Sequence, residues 1–235
     1  MKVIILAGGL GTRISEETNT KPKPMVLLDR HPILWHLMNS FAIQGFTEFI
    51  IAAGYLGEVI SSWASNLETS WNIRVLDTGQ DTLTGGRIKR CIESVDDESF
   101  IATYGDGLGN VNLKSLMQHH EKMNCLATVT CVRPPARFGV LEKKLGLVTH
   151  FGEKRQSDVD WINGGYFVLE RNIIDYIGSD FQSFESDVMP KITQLGQLSA
   201  YEHFGFWQPM DTLREKNELS NLAKLMPPPW LSIDK

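Results

Sequence analysis

Apolar residues along this chain alternate between two spacings. Residues 3–6 form an unbroken apolar run, as a strand buried on both faces does. Residues 33–42 then place Ile33, Leu34, Leu37, Met38, Phe41 and Ala42 on one helical face, with Pro32 to start the helix and Gly45 to stop it. The alternation repeats downstream. Residues 49–53 read as a buried strand, Val59, Ile60, Trp63, Ala64 and Leu67 mark a second helix, and residues 73–76 a further strand. Ile88, Cys91, Ile92 and Val95 mark a third helix, followed by a strand over 100–104. Strands alternating with helices predict crossover units, and therefore an α/β, Rossmann-like fold with a mixed, mostly parallel sheet flanked by helices.

Beyond residue 125 the helical pattern thins. Residues 126–132, 140–151 and 162–169 read as strands, with turns expected at Gly146 and Gly164. Residues 211–225 form an amphipathic helix, which Pro227, Pro228 and Pro229 end. No repeat, linker or low-complexity segment interrupts the chain, so one continuous domain over 1–235 is expected.

Composition adds exclusions. With 42% apolar residues among 235, the chain can bury a sizeable core. No apolar run approaches the roughly eighteen residues that span a bilayer, and no signal pattern precedes the first strand, so the expectation is a cytoplasmic protein without a membrane partner. Cys91, Cys125 and Cys131 are odd in number and lack metal or redox spacing, which suits a reducing compartment. A net charge of −5 argues against nucleic acid as a partner.

The chemistry concentrates in residues 6–25, LAGGLGTRISEETNTKPKPM. Gly8, Gly9 and Gly11 let the backbone approach a ligand closely, and Arg13, Lys21 and Lys23 follow to neutralise phosphate charge. Pro22 and Pro24 hold the lysines on an extended segment. Neither the GxxxxGK[ST] loop nor the dinucleotide fingerprint is present, since Ile14 stands where the latter needs a third small residue. The stretch reads as a polyphosphate cradle, with Lys21 solvated and Lys23 engaged. It makes residues 1–110 a nucleotide-binding half and 111–235 a substrate half.

Two carboxylates stand out. Asp106 lies just past the carboxyl end of a predicted strand, where open parallel sheets bind ligands. Asp211 lies just before a predicted helix, where an N-cap role is the alternative to ligand binding. Together they suit a hard cation such as Mg²⁺ held against a triphosphate. Gly8, Gly85 and Gly86, with Arg87 nearby, let backbone groups approach a ligand closely, although glycines are also ordinary turn residues.

With these residues in place the chain resembles the sugar-1-phosphate nucleotidyltransferases, whose signature is GGxGTR followed by KPxxP-like residues. TGGR at 84–87, TYGDG at 103–107, RFG at 137–139, EK at 153–154, NGGYFVL at 163–169 and FWQPMDT at 206–212 are similar to the branch that couples CTP to glucose 1-phosphate. The resemblance implies a glycosyltransferase A-like fold, Mg²⁺, and a homo-oligomer. It implies nucleotide contacts at Leu6, Ala7, Gly8, Gly9, Gly11, Thr12, Arg13, Lys23, Thr84, Gly85, Gly86, Arg87 and Asp106. It further implies sugar-phosphate contacts at Tyr104, Gly139, Glu153, Lys154, Asn163, Gly164 and Trp207. Arg13, Lys23, Asp106, Lys154 and Asp211 would form the catalytic set, with Asp106 and Asp211 on the metal. A different sugar or polyol phosphate, or a non-catalytic nucleotide-sugar sensor, are the rival readings. Other conspicuous residues carry bland expectations. His119 and His120 are adjacent on a helix and read as surface, Trp35 and Trp63 as packing, and Asp96, Asp97 and Glu98 as caps of a turn.

Overall fold

A computed structural model describes residues 1–134, 139–153 and 160–233. β1 (Val3–Ala7) leads through the glycine loop and α1 (Ser15–Thr18) to a small hairpin, β2 (Leu27–Leu28) and β3 (His31–Pro32). There follow α2 (Ile33–Ala42), β4 (Glu48–Ala53), α3 (Gly57–Ser65), β5 (Asn72–Asp77), α4 (Thr84–Ile92), β6 (Ser99–Tyr104) and β7 (Gly107–Gly109). The second half carries α5 (Leu113–Met123), β8 (Ala127–Val132), the hairpin β9 (Gly139–Lys144) and β10 (Leu147–Glu153), and β11 (Ile162–Glu170). It closes with α6 (Met189–Gln194), β12 (Leu198–His203), β13 (Trp207–Pro209) and α7 (Leu213–Leu222).

Seven strands form one sheet in the order β12-β8-β11-β6-β1-β4-β5. β11 runs antiparallel to both neighbours, and the other pairs are parallel, with Ile5 of β1 set between Ile51 and Thr103. The expected mostly parallel sheet with flanking helices is what the chain forms. Every residue of β1 is buried because successive side chains enter opposite layers. Val3, Ile5 and Ala7 meet Leu34, Leu37, Met38 and Phe41 of α2, with Leu116 of α5 and Leu219 of α7, on one face. Ile4 and Leu6 meet Ile88, Cys91 and Ile92 of α4 with Phe184, Val188 and Ile192 on the other.

Several expectations are corrected. Gly164 makes no turn: it lies inside β11, and the irregularity is a register shift between Asn163 and Phe167 where Gly165 takes φ +80°. Gly146, by contrast, turns between β9 and β10 at φ +84°. The last helix starts at Leu213 rather than 211, because Thr212 caps it and Glu215 completes a capping box. Pro22 is extended, but residues 23–25 close into a 3₁₀ turn. His120 is no surface residue: it is 4% exposed, bonded to Thr128 Oγ1 at 2.8 Å and Glu170 Oε1 at 3.0 Å. His119 is half-buried with its ring edge on Tyr201. Asp96 and Asp97 cap no turn; they bind the ammonium and the backbone N–H of Lys2. β7, β12, β13 and the segment from 171 to 194 carry no clear period in the sequence.

Candidate active site

β1 and β6 are adjacent and parallel, so the loops leaving their carboxyl ends open side by side. A cleft of about 1780 Å³ lies over them. The glycine loop forms one rim, with Gly11 at φ +65° and its carbonyl accepting from Thr18 Oγ1 at 3.1 Å. Gly8 is favoured as glycine for a different reason, since a Cβ there would run into the Arg87 guanidinium, which hydrogen bonds hold in place.

Lys23 is the electrostatic centre. Its side chain is 7% exposed, and its Nζ donates to Asp106 Oδ2 at 2.6 Å and Asp211 Oδ1 at 2.7 Å. Arg13, 70% exposed, reaches the other oxygen of Asp211 at 2.5 Å. Asp106 comes from the turn between β6 and β7, and Asp211 from the link between β13 and α7. Asp211 is free for these bonds because Thr212, not Asp211, caps α7; Glu215 accepts instead from the Asp211 N–H at 2.7 Å. Two cations thus offset two carboxylates around one point. Among the described residues no group of three or more His, Cys, Asp or Glu side chains holds a metal by itself. Lys21 stands apart, pairing with Glu17 at 3.5 Å.

Arg87 is 4% exposed, and its guanidinium is committed to protein oxygens. Nη1 donates to Ala53 O and Thr78 Oγ1, and Nη2 to Gly8 O and Gln80 O. Burial lowers its pKa from the usual arginine value, with the Asp77 charge opposing. It therefore locks the glycine loop to the ends of β4 and β5 while still lining the cleft.

The cleft brings together Leu6, Ala7, Gly8, Gly9, Gly11, Thr12, Arg13, Lys23, Thr84, Arg87, Tyr104, Asp106, Asn163, Gly164, Trp207 and Asp211. It does not include Gly85 or Gly86. Both lie within α4, not in a turn, and Gly85 N–H donates to Gln182 O at 3.0 Å, so that group is not open to a base. A Cβ on Gly86 would meet Asp180 Cα at 2.5 Å, so these glycines serve close packing of α4 on residues 180–182. Lys154 lies outside the described residues, as does the side chain of Glu153, whose backbone pairs with that of Gly139 in the β9–β10 hairpin.

Trp207 is half-buried in the wall, its indole N–H donating to Gly164 O at 2.7 Å. Tyr104 donates to Glu185 Oε1 at 2.5 Å and accepts from Asn163 Nδ2 at 3.2 Å. Burial and the Glu185 charge beside it push the Tyr104 pKa well above the usual phenol value. Glu185, Gln80, Asp81, Thr82, Leu83 and Gln208 also line the cleft and were missed from the sequence. Residues 80–83 follow the carboxyl end of β5 and are findable by the strand-end rule; Glu185 carries no such signal.

Comparisons with known proteins point to one family. The pattern of the nucleotidyl transferase family matches residues 2–212. A glucose-1-phosphate cytidylyltransferase of Salmonella typhimurium is 44% identical over 253 residues, covering 98% of each chain. A probable glucose-1-phosphate cytidylyltransferase of Bacillus subtilis is 39% identical, covering 94% of this chain and 96% of its own. Among solved structures, HddC from Yersinia pseudotuberculosis superposes with a TM-score of 0.77 at 26% identity, covering 95% of this chain and 99% of that one. A UDP-glucose pyrophosphorylase bound to UDP-glucose shares the fold, at a TM-score of 0.71 and 17% identity over 94% of this chain and 97% of that one. A glycine loop at the sheet's carboxyl edge, a lysine between two aspartates and a family match over most of the chain converge: this chain belongs to the nucleotidyl transferase family.

Proposed function

We propose that this enzyme transfers the cytidylyl group of CTP to the phosphate of glucose 1-phosphate, giving CDP-glucose and pyrophosphate. The observation that carries the reading is the arrangement of Lys23, Arg13, Asp106 and Asp211 beside the glycine loop, in a cleft roomy enough for a nucleotide and a sugar phosphate. The choice of cytosine and glucose is supported by the relatives at 44% and 39% identity.

The nucleophile is a phosphate monoester, whose second pKa of about 6 leaves it dianionic at neutral pH, so no general base is needed. The obstacle is repulsion between two polyanions. Gly8, Gly9 and Gly11 bring backbone N–H groups to the triphosphate, Lys23 neutralises the α-phosphate and the exposed Arg13 follows the leaving pyrophosphate. The Asp106–Asp211 pair would hold a divalent cation such as Mg²⁺, a hard ion that takes one or two carboxylates together with phosphate oxygens. When bound, that ion supplies Lewis-acid stabilisation of the charge developing on phosphate oxygens. Lys154 is assigned to the sugar phosphate by resemblance. The three free cysteines suit a reducing, cytoplasmic setting, with burial pushing the Cys91 thiol up to about 12. A homo-oligomer is part of the same reading.

Pyrophosphate release with four nucleoside triphosphates against a panel of sugar phosphates tests the proposal. CTP with glucose 1-phosphate should give the highest kcat/KM. Absence of turnover with CTP for every acceptor overturns it.

A further inference from the structure

Glu185 lies outside the catalytic cluster, yet it lines the same cleft and its carboxylate gathers hydroxyl groups from both halves. Oε1 accepts from Tyr104 Oη at 2.5 Å, and Oε2 from Thr84 Oγ1 at 2.6 Å and Ser183 Oγ at 2.9 Å. The direction of each bond is fixed by its neighbours. Thr84 Oγ1 already accepts from Phe184 N–H at 2.8 Å, and Ser183 Oγ from Ser186 N–H at 3.2 Å, so each hydroxyl proton goes to Glu185. Asn163 Oδ1 accepts from Gly165 N–H at 2.8 Å, which orients its Nδ2 to donate to Tyr104.

A phenol has one proton to donate, and its oxygen also accepts. At Tyr104 the proton is spent on Glu185 and one acceptor site on Asn163. With its proton spent, the phenol oxygen can offer a ligand acceptance but no donation. Gly165, at φ +80°, admits the ring at this spot; a Cβ there would meet Tyr104 Cδ2 at 2.6 Å.

We infer that Glu185 is a positioning residue that fixes the polarity of Tyr104, so that the tyrosine meets the sugar only as a hydrogen-bond acceptor and selects acceptors with a hydroxyl donor at that ring position. This rests on the reading of the cleft as a CTP and sugar-phosphate site. An isosteric glutamine tests it sharply. Its amide satisfies both Thr84 and Ser183 only with the carbonyl on their side, which turns the NH₂ towards Tyr104 and releases the phenol proton into the cleft.

The experiment compares glucose 1-phosphate with its monodeoxyfluoro analogues, since fluorine replaces the hydroxyl without a proton to donate. Wild-type enzyme should prefer hydroxyl over fluorine in kcat/KM by about tenfold at one ring position, the size of one hydrogen bond. Glu185→Gln should bring that ratio close to one, mainly through the KM of the sugar phosphate, with the KM of CTP within about twofold of wild type. Tyr104→Phe should also flatten the ratio, and Glu185→Gln should add nothing in that background. Glu185→Asp, which withdraws the carboxylate by one methylene, is the second variant, with the same flattening expected. A folded variant at Glu185 that keeps the wild-type ratio overturns the inference, as does a CTP KM that rises in step with that of the sugar phosphate. Wild-type turnover of glucose 1-phosphate with no preference at any ring position overturns it while leaving the function intact. No turnover at all removes both.

Discussion

Lys23 shows how a single residue acquires a role. Its ammonium is desolvated and held by Asp106 and Asp211, whose own backbones sit at strand ends on either side of it. Asp211 and Thr212 divide the work of one short segment, the first facing the cleft and the second capping α7. Their variants should therefore separate. Asp211→Asn should lower kcat by on the order of 10²–10³-fold with a native circular dichroism spectrum. Thr212→Ala should leave kcat near wild type and cost about 1 kcal/mol in urea unfolding. Equal loss of turnover in both would contradict the division. Asp106 was legible because it lies between glycines past a predicted strand end, Lys23 because it follows the glycine loop between two prolines, and Asp211 because it precedes a predicted helix within a motif of the resembled family. Glu185 was not, because its partners Tyr104 and Thr84 lie 81 and 101 residues away.

At the scale of elements, α4 couples the loop to the core. Its first turn carries Gly85 and Gly86 against residues 180–182, and its Arg87 grips Gly8 O. Gly86→Ala should be strongly unfavourable, because the backbone of Asp180 blocks the added methyl at 2.5 Å and overpacking costs about 1–3 kcal/mol. Gly9→Ala is the control, since its Cβ meets nothing within 4 Å, and its unfolding midpoint should stay near wild type. A smaller midpoint loss for Gly86→Ala than for Gly9→Ala would refute this account of α4. The sequence marked α4 from Ile88 onward and left its first turn as a possible loop. Glycines lower helix propensity, and only the chain packed against them reveals why they are needed. α2, by contrast, was legible over its full length because Pro32 and Gly45 bracket an unbroken apolar stripe.

The whole molecule carries a pH dependence that no local pattern announces. His36 is 6% exposed, with its Nε2 on Leu28 O at 3.0 Å and its ring edge-on to Trp35 and Trp230, the latter from the far end of the chain. Burial lowers its pKa, with the Leu28 carbonyl opposing and His31 adding to the depression. The unfolded chain titrates near the ordinary histidine value of 6.5, so below that pH the unfolded state binds the extra proton. Stability should fall as pH drops below about 6.5, by at most about 1.4 kcal/mol per pH unit from this group. Urea midpoints at pH 7.5 and 5.5 should converge in His36→Gln relative to wild type, and an unchanged gap would rule out His36 as the source. The sequence by itself determined the alternation of strands and helices, the glycine loop and the types of charge beside it, because spacing and backbone preference act over a few residues. Only the tertiary structure decided that β11 inserts antiparallel between β6 and β8, that Arg87 serves the loop, and that Glu185 stands behind Tyr104. Those facts depend on strand order and on contacts between residues far apart in the chain, where the energy lies in packing and paired polar groups rather than in any local pattern.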